Sequence, residues 1–149
     1  MHADNGLIER IETYWRELLK ALEGIPEEHW LVPGAVGDWS VKDLLVHIAY
    51  WDADADARVR RIMAGKSPEL PEDSSWEVHS VEAVAQRADW SLERAWSNLH
   101  ETHAAMLATL QAAREAGTVI PPGVIDNCTY NHYAEHIADL HAYRERLGR

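Results

Sequence analysis

Apolar residues in this chain recur at spacings of three and four over long stretches, and no stretch gives a convincing period-two strand signal. That periodicity is the mark of amphipathic helices. From Asp4 to about Glu23, Leu7, Ile8, Ile11, Tyr14, Trp15, Leu18, Leu19 and Leu22 share a face, and Gly24 ends the helix. A second helix opens at Ser40 and closes at Gly65, with Val41, Leu44, Leu45, Ile48, Trp51 or Asp52, Ala55, Val59 and Ile62 along its apolar face. Its opposite face carries Asp54, Asp56, Arg58 and Arg61. Ser40 and Asp43 are spaced as a capping box, in which each side chain satisfies a free backbone donor and the carboxylate favours the positive helix end. Trp39, just before the cap, is placed to staple the helix start. The third segment runs from Ser80 to about Ala116. At about 37 residues it is long for a globular helix, which leaves room for a kink or break near Asp89 to Ser91. The last helix spans about Cys128 to Leu147, with Tyr130, Tyr133, Ile137, Leu140 and Leu147 inward.

Three long connections separate these helices: IPEEHWLVPGAVGDW, KSPELPEDSSWEVH and GTVIPPGVIDN. All are rich in Pro, Gly or Ser, and connections of such length tend to be functional. Trp76 is the expected anchor of the second one. Long connections can cross the end of a bundle, so neighbouring helices need not be antiparallel and the topology stays open. The reading is an all-α chain, a four-helix bundle with long inter-helix connections, forming one domain over residues 1–149. A length of 149 residues suits one domain with its own core.

Charge narrows the partners. With 25 acidic and 14 basic side chains the net charge is −11, which repels nucleic acid and anionic membrane surfaces. No apolar run is long enough to span a bilayer, and MHADNGLIER lacks the apolar core of a secretory signal, so a cytoplasmic location is expected. The only cysteine, Cys128, has no internal partner for a disulfide, and thiol zinc sites normally use two or more. Seven Trp and five Tyr with no Phe supply large rings with polar tips, which serve both as bulky core and as pocket walls.

Nine histidines are the main candidates for chemistry. His2, His29 and His79 fall on a terminus or in loops. His100 and His103 make H-x-x-H on the third segment and read as half-exposed polar positions. His132 and His136 make H-x-x-x-H on the last helix, where residues four apart project side by side at about 6 Å, close enough to share an ion. Both flank the apolar face of Tyr133, Ile137 and Leu140, and so point toward a helix seam. His47 borders the apolar face of the second helix between Leu44, Ile48 and Trp51. A lone histidine in such a place is usually a satisfied core residue, but three neutral imidazoles with water make a reasonable open site for zinc, nickel or another borderline divalent metal. Asp43, Glu135 and Asp139 are placed to accept the second ring N–H of these histidines. Cys128 lies one turn before His132 but is left out of the ligand set, since three residues spanning two turns rarely close on one ion. Paired Glu-x-x-His motifs, a G-x-S-x-G elbow and a glycine-rich phosphate loop are not found, which removes di-iron, hydrolase-elbow and P-loop classes.

GDWSVKDLLVHIAYWD and TYNHYAEHIADLHAYRERL resemble the corresponding segments of the DinB/YfiT-like four-helix-bundle metalloenzyme family. The resemblance covers essentially the whole chain. Its most specific parts are W-S-x-x-D-L-L-x-H-I, with Trp39, Ser40 and His47, and H-Y-x-E-H, with His132 and His136. It implies His47, His132 and His136 as ligands of a divalent metal. Characterised relatives include transferases and isomerases that use a low-molecular-weight thiol, so the resemblance also implies such a thiol as co-substrate. The VGDWSVKD stretch and Trp-rich loops are somewhat similar to ClbS/DfsB-type self-protection proteins, a branch that does not rely on this histidine triad.

Two functional classes emerge. In one, the metal activates a thiol or water for attack on a small electrophile, with Tyr50, Trp51, Tyr130 and Tyr133 as pocket walls. In the other, the protein is a non-catalytic, metal- or small-ligand-binding stress-response bundle. The sequence names no acid, base or substrate. A homodimer is expected from family likeness.

Overall fold

The computed structural model describes residues 6–70 and 76–148. His2, the expected helix start at Asp4 and the expected anchoring by the Trp76 side chain lie outside the described residues and side chains. Among the described residues five α-helices succeed one another: α1 Leu7–Glu23, α2 Val41–Met63, α3 Trp76–Gln86, α4 Leu92–Glu115 and α5 Tyr130–Leu147. A 3-10 turn, Glu27–His29, comes after α1. The described residues contain no strand, only an isolated bridge between Val36 and Trp39. None of their helices is long and apolar enough to cross a membrane.

The periodic faces become the core. On α1, Leu7, Ile8, Ile11, Trp15, Leu18, Ala21 and Leu22 are buried, and on α2 the same holds for Leu44, Leu45, Ile48, Ala55 and Val59. Leu99, Met106 and Leu110 of α4 and Tyr133 and Leu140 of α5 complete the centre. Full burial of each large apolar side chain contributes about 1.5–3 kcal/mol before entropy is counted. The capping box forms as its spacing requires. Asp43 N–H donates to Ser40 Oγ at 3.2 Å, and Ser40 N–H donates to Asp43 Oδ2 at 3.0 Å.

The long third segment is two helices. Residues 87–91 turn between α3 and α4, and Ser91 caps α4 by accepting from Arg94 N–H at 3.1 Å. Lys42 Nζ donates to Ala88 O at 2.8 Å, so a lysine from α2 takes a carbonyl that a continuing helix would need. α3 also begins earlier than the periodicity indicated, at Trp76 rather than Ser80. α5 starts two residues later than expected, because the Thr129 amide and hydroxyl both donate to Ile125 O in a tight preceding turn.

α2 packs along α4, and α1 along α5, while α3 lies against α2. α2 and α5 make few close backbone approaches. They meet through side chains, and those side chains build the site.

Candidate metal centre

His47 lies seven residues into the capped helix α2, and His132 and His136 occupy consecutive turns of α5. All three are buried, at 5%, 2% and 5% exposure. His132 Nε2 is 2.8 Å from His47 Nε2 and 2.9 Å from His136 Nε2. One ring nitrogen from each residue falls within 4.8 Å of the others, a grouping that could hold a metal ion.

The protonation states favour lone pairs. Burial pushes the His47 imidazole down to about 3, with His136 adding to the effect. Burial likewise lowers His132 to about 2, followed by the charges of His136 and His47. Both rings are therefore neutral near pH 7. Asp139 Oδ2 lies 2.9 Å from His136 Nδ1, an arrangement that places a proton on Nδ1 and turns Nε2 toward His132.

His132 Nε2 faces two other Nε2 atoms. If it carries a proton it can donate well to one of them. If His47 donates to it, little of its lone pair is left for His136. A cation at the point of convergence removes the conflict, because all three nitrogens then act as donors of electron pairs to one centre. The donor set fits a borderline divalent ion.

A family model described as the DinB superfamily matches residues 10–141. The chain belongs to the DinB superfamily. Neither the curated proteins nor the solved structures give a match.

Around the histidines of this DinB-superfamily chain, the other expected residues take varied places. Asp139 meets His136. Asp43 turns its carboxylate into the helix cap, and His47 Nδ1 is buried without a hydrogen-bond partner. Glu135 is exposed. Trp51 donates from Nε1 to Ser80 Oγ at 3.0 Å, tying α2 to α3. Tyr50 stands edge-on to Trp51 and, with Arg87 and Trp90, lines a cavity of about 320 Å³ between α2 and α4. Tyr130 packs against Tyr14 and donates to Asp126 Oδ2 at 2.7 Å. Cys128 is buried beside Asp54, with Sγ 3.7 Å from its Oδ2. Burial and the Asp54 charge push this thiol up to about 12.

Two features were not read from the sequence. Trp39, expected as a helix staple and as part of the family-like W-S-x-x-D-L-L-x-H-I segment, brings its ring to 4.8 Å from that of His47. The turn that carries it is closed by Ala35 N–H donating to Trp39 O at 2.8 Å and passes through Gly37 at φ 57, a backbone shape that glycine adopts without strain. His103, expected to be half-exposed, is 5% exposed and stacked on Trp15 with ring centroids 3.7 Å apart. It faces Asp52, a carboxylate with 0% exposure on the apolar face of α2. A charged residue at an apolar-face position was the available signal for that cluster.

Proposed function

We propose that this protein binds one divalent metal ion, zinc or nickel by donor type, on His47, His132 and His136, within a four-helix bundle formed by α1, α2, α4 and α5. The observation that carries the reading is the convergence of the Nε2 atoms of three buried histidines, His132 lying 2.8 Å from His47 and 2.9 Å from His136. Buried imidazoles that meet without carboxylates among them are suited to a borderline metal rather than to magnesium or calcium. Family membership supports the same reading.

The activity we infer is attack by a low-molecular-weight thiol or water on a small electrophile. A bound divalent ion at such a site supplies a lowered pKa for thiol or water at neutral pH. The chain's own residues supply the rest. Asp139 holds the His136 tautomer. Trp39 covers one side of His47 with an apolar ring and limits water there. Burial of His47 and His132 keeps their lone pairs available. The second reading is a non-catalytic role in which the same site holds an ion or small ligand.

Metal content of the purified protein against the His47→Ala, His132→Ala double variant tests the site. About one equivalent in the wild type and none in the variant is expected, and equal content in both removes the triad. A screen of thiol transfer and hydrolysis on small electrophiles, with and without a chelator, separates the two classes. Activity that survives chelation overturns the metal-dependent reaction, and metal binding with no turnover favours the non-catalytic role.

A further inference from the structure

Directly beside the histidines lies a second polar cluster that the proposed site does not use. Tyr133, next to His132 on α5, is fully buried and donates its hydroxyl proton to Asp52 Oδ1 of α2 at 2.6 Å. His103 Nδ1 of α4 is 3.0 Å from the same hydroxyl oxygen. Since the single phenolic proton goes to Asp52, His103 must approach that oxygen with an N–H, which places its own proton on Nδ1. Donation therefore runs from His103 to Tyr133 to Asp52, through three helices. Trp15 of α1 stacks flat on the His103 ring at 3.7 Å and adds the fourth.

The position of this chain of bonds matters because of how the helices pack. α2 leans on α4 and α5 leans on α1, whereas the helices that carry the histidines make few close backbone approaches to each other. The separation of His132 from His47 is thus fixed by side chains that bridge α2 and α5. Tyr133 and Asp52 form one such bridge, 2.6 Å long between two fully buried side chains. A rotation of α5 by one residue would swing His132 about 100° away from His47 and carry Tyr133 off Asp52 in the same movement. Losing the tyrosine hydroxyl would also leave a buried carboxylate oxygen unpaired, which favours displacement of the helix.

We propose that Tyr133, held between His103 and Asp52, is a positioning residue that sets the rotation of α5 against α2 and so preorganises His132 and His136 on His47 before an ion arrives. The proposal rests on the metal-site reading above.

The test compares wild type, Tyr133→Phe, Asp52→Asn and a packing control, Leu110→Ala, which thins the core on α4 without touching the relay. Cobalt(II) is the probe, read by titration and by its visible absorption spectrum at a temperature where circular dichroism shows every protein fully folded. A destabilised but folded protein keeps its metal affinity, because unfolded molecules are too few to compete. Tyr133→Phe is expected to weaken cobalt binding at least tenfold, to alter the spectrum, and to speed hydrogen exchange of α5 amides around His132 in the metal-free protein. Asp52→Asn, which keeps an acceptor for the phenol, is expected to stay within about threefold of wild type. Leu110→Ala is expected to lower the melting temperature and leave affinity and spectrum unchanged. If wild type binds cobalt and Tyr133→Phe binds it equally with unchanged exchange, the positioning role is wrong while the metal site stands. If wild type takes up no cobalt, zinc or nickel, the metal reading and this role fall together.

Discussion

His47 and His132 stand 85 residues apart in the chain, yet their Nε2 atoms lie 2.8 Å from each other. Neither ring can be protonated cheaply there, and His136 presses a third nitrogen to 2.9 Å from His132. Such a contact is unfavourable in the bare protein and favourable around a cation. From it we expect metal to act as a large stabiliser.

At free metal near 100 times the dissociation constant, binding to the native state alone adds about 2.7 kcal/mol. For a domain of this size that corresponds to a rise of roughly 5–10 °C in melting temperature. Differential scanning fluorimetry of chelated protein with and without added zinc or nickel measures it. The His132→Ala variant is expected to show almost no rise, and a full rise in that variant would place the ion elsewhere.

Asp139 is expected to matter through His136 alone. Removing the acceptor at Nδ1 frees the ring to rotate and to change tautomer, and partners of this kind typically contribute 10–100-fold in metal affinity. Asp139→Ala should therefore bind zinc at least tenfold more weakly, with Asp139→Asn between the two. Competition with a chromogenic chelator reads the constants. Glu135→Ala, on the exposed side of the same helix, is the matched control and should bind like wild type.

Acid should both unfold the metal-free protein and strip the ion. An unfolded imidazole titrates near 6.5, whereas folded His47 and His132 take a proton only near 3 and near 2. Below 6.5 the unfolded chain thus binds protons that the fold refuses, so stability is full above that value and falls as the pH drops toward 3. Urea midpoints of the metal-free protein should decline steadily across this window. The His47→Gln, His132→Gln variant should decline less steeply, and an identical slope in both proteins would show that other groups dominate.

The cap on α2 should be a measurable part of global stability. Ser40→Ala deletes the acceptor of the Asp43 amide and leaves the reciprocal bond unsupported, a change that typically costs about 1 kcal/mol. A fall of roughly 2–4 °C in melting temperature is expected. Ser40→Asp, which can still accept from the amide, should recover most of it.

Much of this architecture is legible along the chain because it depends on local physics. Residues three and four apart on α1 and α2 share a face whatever lies opposite, and Ser40 with Asp43 closes a cap using atoms of its own turn. The pairing of His132 with His136 likewise comes from helical pitch. The resemblance of two segments to a known family joined His47 to that pair, and the structure brings all three together.

Other features depended on elements distant in sequence. The length of the segment from Ser80 to Ala116 left room for a break near Asp89 to Ser91, and the structure has one at residues 87–91, where Lys42 of α2 bonds Ala88 O and Ser91 caps α4. His103 looked like a surface histidine because periodicity cannot show that Trp15 of α1 would stack on it or that Asp52 and Tyr133 would meet beside it. Sequence by itself determined the helices, the α2 cap and the spacing of His132 and His136, since short-range geometry governs each. Only the tertiary structure decided which side chains cross between α2 and α5, because that depends on how whole helices pack.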